Sequence, residues 1–225
     1  MRKFVIGMAM ASTALASPAL ARDDAWYIGV EGGAMIVEDM DLDVGLDEGA
    51  DQASLDFDYG YDVGGFVGYD FGAFRLEAEV SYRDADLDEV TVGTSGLPAG
   101  AVSQSFAPAG VYPGDGSINA LSFMLNGLFD FGDDDGLQGY AGGGAGVART
   151  DIEGRVFDLG DPSLNDSDSG FAWQLLAGIN APLTDTIDVG LRYRFFNAED
   201  VNVVDRAGRN LEGRLRTHSL MGTLT

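Results

Sequence analysis

The sequence predicts an all-β chain: an eight-stranded antiparallel up-and-down transmembrane β-barrel with short periplasmic turns and four long extracellular loops. Three observations predict it. Apolar and polar residues alternate with a period of two in eight segments. The connections between those segments alternate strictly between short and long. The chain opens on an export signal.

The signal comes first in the chain. Arg2 and Lys3 supply a positive start, and Phe4 to Ala16 an uncharged apolar run. Ser17 and Pro18 break that run, and Ala19-Leu20-Ala21 offers a small-x-small cleavage site, the third part of a secretory signal peptide. Residues 1–21 are therefore expected to be removed, leaving one barrel domain over 22–225. The apolar run is too short to span a bilayer as a helix, and no later stretch approaches the ~20 apolar residues a spanning helix needs.

Composition narrows the function. The formal charge is -24, and Lys3 is the only lysine. Such acidity argues against nucleic acid, whose binding rests on cations neutralising phosphates, and against docking on an anionic lipid surface. With no cysteine, thiol chemistry and cysteine metal sites are excluded. Apolar residues at 45% and aromatics at 10% give the chain enough to fold. Its 33 glycines suit tight turns and close strands better than helices.

Two segments show the alternation most clearly. In Phe74 to Arg83, Phe74, Leu76, Ala78, Val80 and Tyr82 share one face, and Arg75, Glu77, Glu79, Ser81 and Arg83 the other. In Ile187 to Phe195, Ile187, Val189, Leu191, Tyr193 and Phe195 alternate with Asp188, Gly190, Arg192 and Arg194. Weaker segments run Trp26 to Val37, Tyr59 to Phe71, Asn119 to Phe131, Phe171 to Leu183 and Arg214 to Thr225. Leu137 to Arg149 is so rich in glycine that its facing is ambiguous.

The connections decide the architecture. Gly72-Ala73, Gly132 to Gly136, and Pro182 to Thr186 are short, with turn chemistry. Glu38 to Asp58, Asp84 to Ser117, Thr150 to Gly170 and Asn197 to Gly213 are long and polar. In an up-and-down barrel this puts every long loop at one end, the asymmetry of outer-membrane barrels. Segments of about 10–13 residues match the ~9–11 a tilted strand needs to cross a bilayer. Facing follows from cost: an arginine on the lipid side near mid-membrane costs ~2–4 kcal/mol, so the charged faces point inward. A soluble lipocalin-like barrel is the alternative fold, and it would invert every facing.

Several stretches carry a resemblance: Trp26-Tyr27-Ile28-Gly29-Val30-Glu31-Gly32-Gly33, Phe74-Arg75-Leu76-Glu77-Ala78-Glu79, Asn126-Gly127-Leu128-Phe129-Asp130-Phe131, Tyr140-Ala141-Gly142-Gly143-Gly144-Ala145-Gly146, and Leu191-Arg192-Tyr193-Arg194. From about Trp26 to Thr225 the chain resembles the OmpA-like eight-stranded outer membrane β-barrel family. Barrels of that kind usually end on an aromatic residue, whereas this chain ends Leu224-Thr225. Members with a peptidoglycan-binding domain continue past the barrel, so a peptidoglycan partner would need a C-terminal domain absent from these residues. The resemblance also implies outer-membrane lipid as surroundings.

The candidate site is the set of inward charges: Glu31, Asp62, Asp70, Arg75, Glu77, Glu79, Arg83, Asp188, Arg192 and Arg194. One reading is an ion path gated by arginine–carboxylate pairs. The other is a structural salt-bridge core, which the small bore of eight strands favours. The acidic first loop offers Asp39-x-Asp41-x-Asp43, like the start of a calcium loop, but Val44 stands where glycine is required and Ala50 where the closing glutamate belongs. His218 is the only histidine, and its neighbour Ser219 should face the opposite side of the strand. Gly142, Gly144 and Gly146 lack the following helix that a dinucleotide site needs and suit close strand packing. No catalytic residue, cofactor or metal is therefore expected.

The expected function is a structural barrel that supports the envelope and presents acidic loops, with at most weak pore activity. The rival is an adhesin or partner-binding barrel acting through its loops. Leu97, Pro98, Phe106, Pro108, Val111, Tyr112 and Pro113 make the second loop its strongest candidate.

Overall fold

The computed structural model describes residues 24–44, 53–93, 97–98, 106–132, 136–156, 164–204, 208 and 210–225. The expected signal peptide lies outside them. Twelve strand segments are described. They are β1 (Trp26–Val37), β2 (Met40–Val44), β3 (Ala53–Phe57), β4 (Gly60–Asp70), β5 (Phe74–Val92) and β6 (Leu97–Pro98), then β7 (Phe106–Ala107), β8 (Gly110–Phe131), β9 (Gln138–Val156), β10 (Leu164–Thr184), β11 (Ile187–Val204) and β12 (Asn210–Leu224).

Eight of them close a ring. Neighbours pair antiparallel in the order β1-β4-β5-β8-β9-β10-β11-β12, and β12 returns to β1. The seam runs from Val30 opposite Leu224 to Val37 opposite Thr217. Gly33 lets it close, because a Cβ there would fall 2.0 Å from the Leu220 carbonyl oxygen. The short turns fall at one end, where the Gly72 amide donates to Asp70 Oδ1 at 2.7 Å. The last of them is tighter than expected, since β10 runs on to Thr184 and β11 begins at Ile187.

The long connections need a correction. Most of the length expected as loop is strand. β5 continues to Val92, β8 begins at Gly110, β9 reaches Val156 and β10 starts at Leu164. β11 reaches Val204 and β12 begins at Asn210. In the first connection β2 pairs with β12 and β3, and β3 pairs with β5, so the wall rises on that side as well. The staves are therefore up to 22 residues long, about twice what a bilayer requires. Register shifts at Asp86/Glu89 and Ala198/Val201 bend this outer part of the wall.

The outer surface fixes the membrane band. Ile28, Val30, Val67, Val80, Phe123, Leu125, Leu175, Leu191 and Leu220 all stand exposed on the outward phase. In water so large an apolar surface would be unfavourable, and in lipid it is the natural face. From Trp26 to Ile36 this band covers roughly 25 Å at ordinary strand rise and tilt.

Aromatic belts bound it on both sides. At the short-turn end Trp26 meets Tyr69, Tyr69 meets Phe71, Phe71 meets Phe74 and Phe74 meets Phe129, with centroids 4.6–6.3 Å apart. At the other end Trp173 packs on Phe195, and Phe195 and Tyr193 on His218. Beyond that belt the outer wall turns acidic, with Asp84, Asp86, Asp88, Asp151, Glu153 and Glu212 on it.

Inside, two environments are stacked. The half above the charged residues holds an apolar core that includes Met35, Leu87, Val92, Ile118, Phe196, Val203 and Leu211. The extramembrane part of the barrel thus has the inside of a soluble protein. The half below is polar, apart from a small cluster of Leu128, Tyr140 and Leu176.

Candidate functional site: a buried ion-pair cluster

Four staves bring the charges together. β1 supplies Glu31, β4 Asp62, β5 Arg75, Glu77, Glu79 and Arg83, and β11 Arg192 and Arg194, all on inward phases and all buried. The period of two delivers every second residue of β5 and β11 to the lumen, so one strand can stack four charges in register.

Arg194 is the hub. It is fully buried, and its Nη1 donates to both oxygens of Asp62 at 3.0 and 2.9 Å. Its Nη2 contacts Glu31 and lies 2.8 Å from Glu79 Oε1. Asp62 also accepts from the Ser219 hydroxyl at 2.8 Å and pairs with Arg83 Nε at 3.2 Å. Arg83 donates to Ser122 and Ser81 at 3.0 and 3.1 Å.

A side-chain amide network completes the Glu79 shell. Asn126 Nδ2 and Gln174 Nε2 donate to Glu79 Oε2 at 2.9 and 3.0 Å, and Gln174 also donates to Asn126 at 2.8 Å. Room for Asn126 comes from the facing strand, because a Cβ on Gly144 would sit 1.9 Å from its Oδ1. The glycine run of β9 thus does packing work. Its inward members are the even-numbered residues, since Tyr140 is buried and Leu137 and Val147 are exposed.

Arg192 organises the next layer. It donates to Glu31 Oε2 and to Glu77 Oε1, each at 3.0 Å, and its Nε donates to the Tyr140 hydroxyl at 2.8 Å. Its guanidinium lies over the Phe66 ring at 4.5 Å. The Tyr27 hydroxyl donates to Glu77 Oε1 at 3.0 Å. Arg75 pairs with Asp130 at 2.7–2.8 Å, toward the short-turn end.

Two expected members stand apart. Asp70 is half-buried at the end of β4, where it caps the Gly72 turn. Asp188 is half-buried at the start of β11, where its backbone exchanges hydrogen bonds with Thr225. Strand phase alone put them with the others, but their height places them near the barrel mouth. The residues the charge pattern missed are Asp130, the polar partners Asn126, Gln174, Ser81, Ser122 and Ser219, and the tyrosines Tyr27 and Tyr140. All lie on inward phases, so the signal was present, but neutral polar side chains do not announce themselves as ion-pair partners.

The other candidates also resolve. Ser219 is buried against Asp62, while His218 lies on the outer wall, Nε2 2.8 Å from Glu38 and Nδ1 2.7 Å from the Tyr193 hydroxyl. The two do not meet. Met40–Val44, within the calcium-like stretch, is strand, and no metal-type cluster occurs among the described residues. The remainder of that loop, residues 45–52, lies outside them.

Comparison with known proteins agrees with this geometry. PagN, an outer membrane protein of Salmonella typhimurium, is 25% identical over 141 residues, which is 61% of this chain. The alignment spans 57% of PagN's own length. Neisserial surface protein A superposes with a TM-score of 0.50 at 13% identity, covering 89% of this chain and 98% of that one. OprG of Pseudomonas aeruginosa gives 0.51 at 14% identity, covering 90% and 97%. These two show the shared fold. The family model described as outer membrane protein beta-barrel domain matches residues 7–219, and the chain belongs to that family of outer-membrane barrels.

Proposed function

We propose that this protein is a non-enzymatic, non-conducting outer-membrane barrel that supports the envelope and presents an acidic extracellular platform. The observation that carries the reading is the filled interior. Arginines and carboxylates cross-link β1, β4, β5 and β11 through the lumen, and an apolar core lies directly above them. An ion crossing would have to break several buried pairs and then pass an apolar layer. The platform supports the second half of the reading: the barrel wall beyond the membrane closes around an apolar core of its own.

The test has two arms. Purified barrel in planar bilayers is expected to give no discrete conductance steps, and cells lacking the protein to become sensitive to detergent. Sustained steps in the bilayer would overturn the non-conducting reading, and unchanged detergent resistance the envelope role.

A second reading, partner binding through the platform, is favoured by one feature. Val111 and Pro113 stand exposed on the outer wall of β8, well beyond the aromatic belt. Removing residues 93–109 separates the two readings. Loss of cell or ligand binding with an intact envelope supports the second.

A further inference from the structure

The central cluster does not balance. Four carboxylates, Glu31, Asp62, Glu77 and Glu79, face three guanidinium groups, Arg83, Arg192 and Arg194, and all seven are buried. Arg75 does not correct the difference, because it is taken by Asp130. One negative charge is therefore left over among buried side chains, and an uncompensated buried charge is strongly unfavourable.

The hydrogen bonds show where the deficit falls. Asp62 has two arginines and Ser219. Glu31 has Arg192 on one oxygen and Arg194 on the other. Glu79 uses Oε1 for Arg194 and Ser81, and Oε2 for Asn126 and Gln174. Glu77 differs. Its Oε1 receives both Tyr27 and Arg192, while its Oε2 is buried with no hydrogen-bond partner. The side chain is 0% exposed, so solvent does not meet that oxygen. The groups around it are Tyr27 on β1, Arg75 and Glu79 on β5, Tyr140 on β9 and Arg192 on β11; the Tyr27 hydroxyl and both guanidinium groups already have acceptors, and the Tyr140 hydroxyl, which accepts from Arg192, makes no hydrogen bond to that oxygen.

We propose that Glu77 Oε2 binds one monovalent cation, a proton or an alkali-metal ion, which brings the cluster to neutrality. The site is part of the closed barrel and is independent of whether the platform binds a partner.

The test uses the folded barrel in detergent micelles. Infrared spectra of the wild type and Glu77→Gln distinguish the two sources. A neutral-carboxyl C=O stretch present in the wild type and absent in E77Q identifies a proton. If that band is absent, a wild-type unfolding temperature that rises when sodium or potassium replaces choline, an effect lost in E77Q, identifies an alkali ion.

E77Q itself is expected to unfold no earlier than the wild type, because it removes the surplus charge. Asp62→Asn, which strips a carboxylate from two arginines, is expected to unfold clearly earlier. Absence of both signals in the wild type overturns the proposal whatever the variants do. E77Q as unstable as D62N would remove the assignment to Glu77.

Discussion

The Arg83 guanidinium lies over the Phe196 ring, its Cζ 3.8 Å from the centroid, at the boundary between the charged half of the lumen and the apolar half. Both side chains are buried, and each satisfies one layer: Arg83 points its donors down to Asp62, Ser81 and Ser122, and Phe196 belongs to the core above. A delocalised cation on an aromatic face is one of the few contacts that can join such layers without stranding a charge.

That contact makes Phe196 a sensitive position. Phe196→Ala removes both the floor of the apolar core and the lid of Arg83. A loss of about 3–5 kcal/mol is expected for a buried phenylalanine. Urea unfolding in micelles, followed by the gel shift between folded and heated forms, measures it. A loss below about 1 kcal/mol would mean that the two layers do not depend on this contact.

Position along the wall should decide the cost of a charge. Leu125 and Val111 both stand on the outward phase of β8 and are 61% and 59% exposed. Leu125→Arg is expected to cost ~2–4 kcal/mol because it faces mid-membrane. Val111→Arg, outside the membrane, is expected to cost little. Equal costs in a folding titration from urea into lipid vesicles would displace the membrane band drawn here.

The platform should respond to pH through Asp56 of β3. A hydrogen bond with Asp39, desolvation, and repulsion from Asp39, Glu89 and Asp88 raise its carboxyl above the ordinary range. A carboxyl raised on folding stabilises the folded form fully below its unfolded value, ~4, and that stabilisation is lost as pH rises through the folded value. Hydrogen exchange over 53–57 is therefore expected to be more protected in mild acid than at neutral pH, after correction for intrinsic rates. Asp56→Asn should abolish the difference; if the variant keeps it, another group is responsible.

Strand spacing at β9 gives a fourth test. A Cβ on Gly142 would fall 2.0 Å from the Gly127 carbonyl oxygen, a backbone atom that cannot swing aside. Gly142→Ala is expected to force β8 and β9 apart and to lower the folded fraction on refolding. Gly208, with nothing within 4 Å of its Cβ position, makes the comparison site, although its φ of +80 favours glycine on other grounds.

Strand phase explains how far the sequence could be read. In β5 the inward residues are odd-numbered from Arg75 to Leu87, but Val90 and Val92 are even, because at the register shift the strand advances three residues, Asp86 to Glu89, against four on β8, Ser117 to Pro113. In β11 Phe196 and Ala198 are inward, and after the shift at Ala198/Val201 the inward residues are Val201 and Val203. A strict period of two stops at each shift, and the acidic residues beyond it look like solvated loop. The platform and its core were hidden for that reason.

The sequence by itself determined the strand count, the inward direction of Arg75, Arg83, Arg192 and Arg194, and the sorting of short turns to one end. These follow from local alternation and from the cost of a charge in lipid, which need no knowledge of neighbours. The tertiary structure alone decided that Arg194 serves Asp62, Glu31 and Glu79 together, that Asp70 and Asp188 stay at the mouth, and that the staves continue beyond the membrane around an apolar core. Phase says which face a residue takes, whereas its height and its partners depend on the stagger between strands around a closed ring.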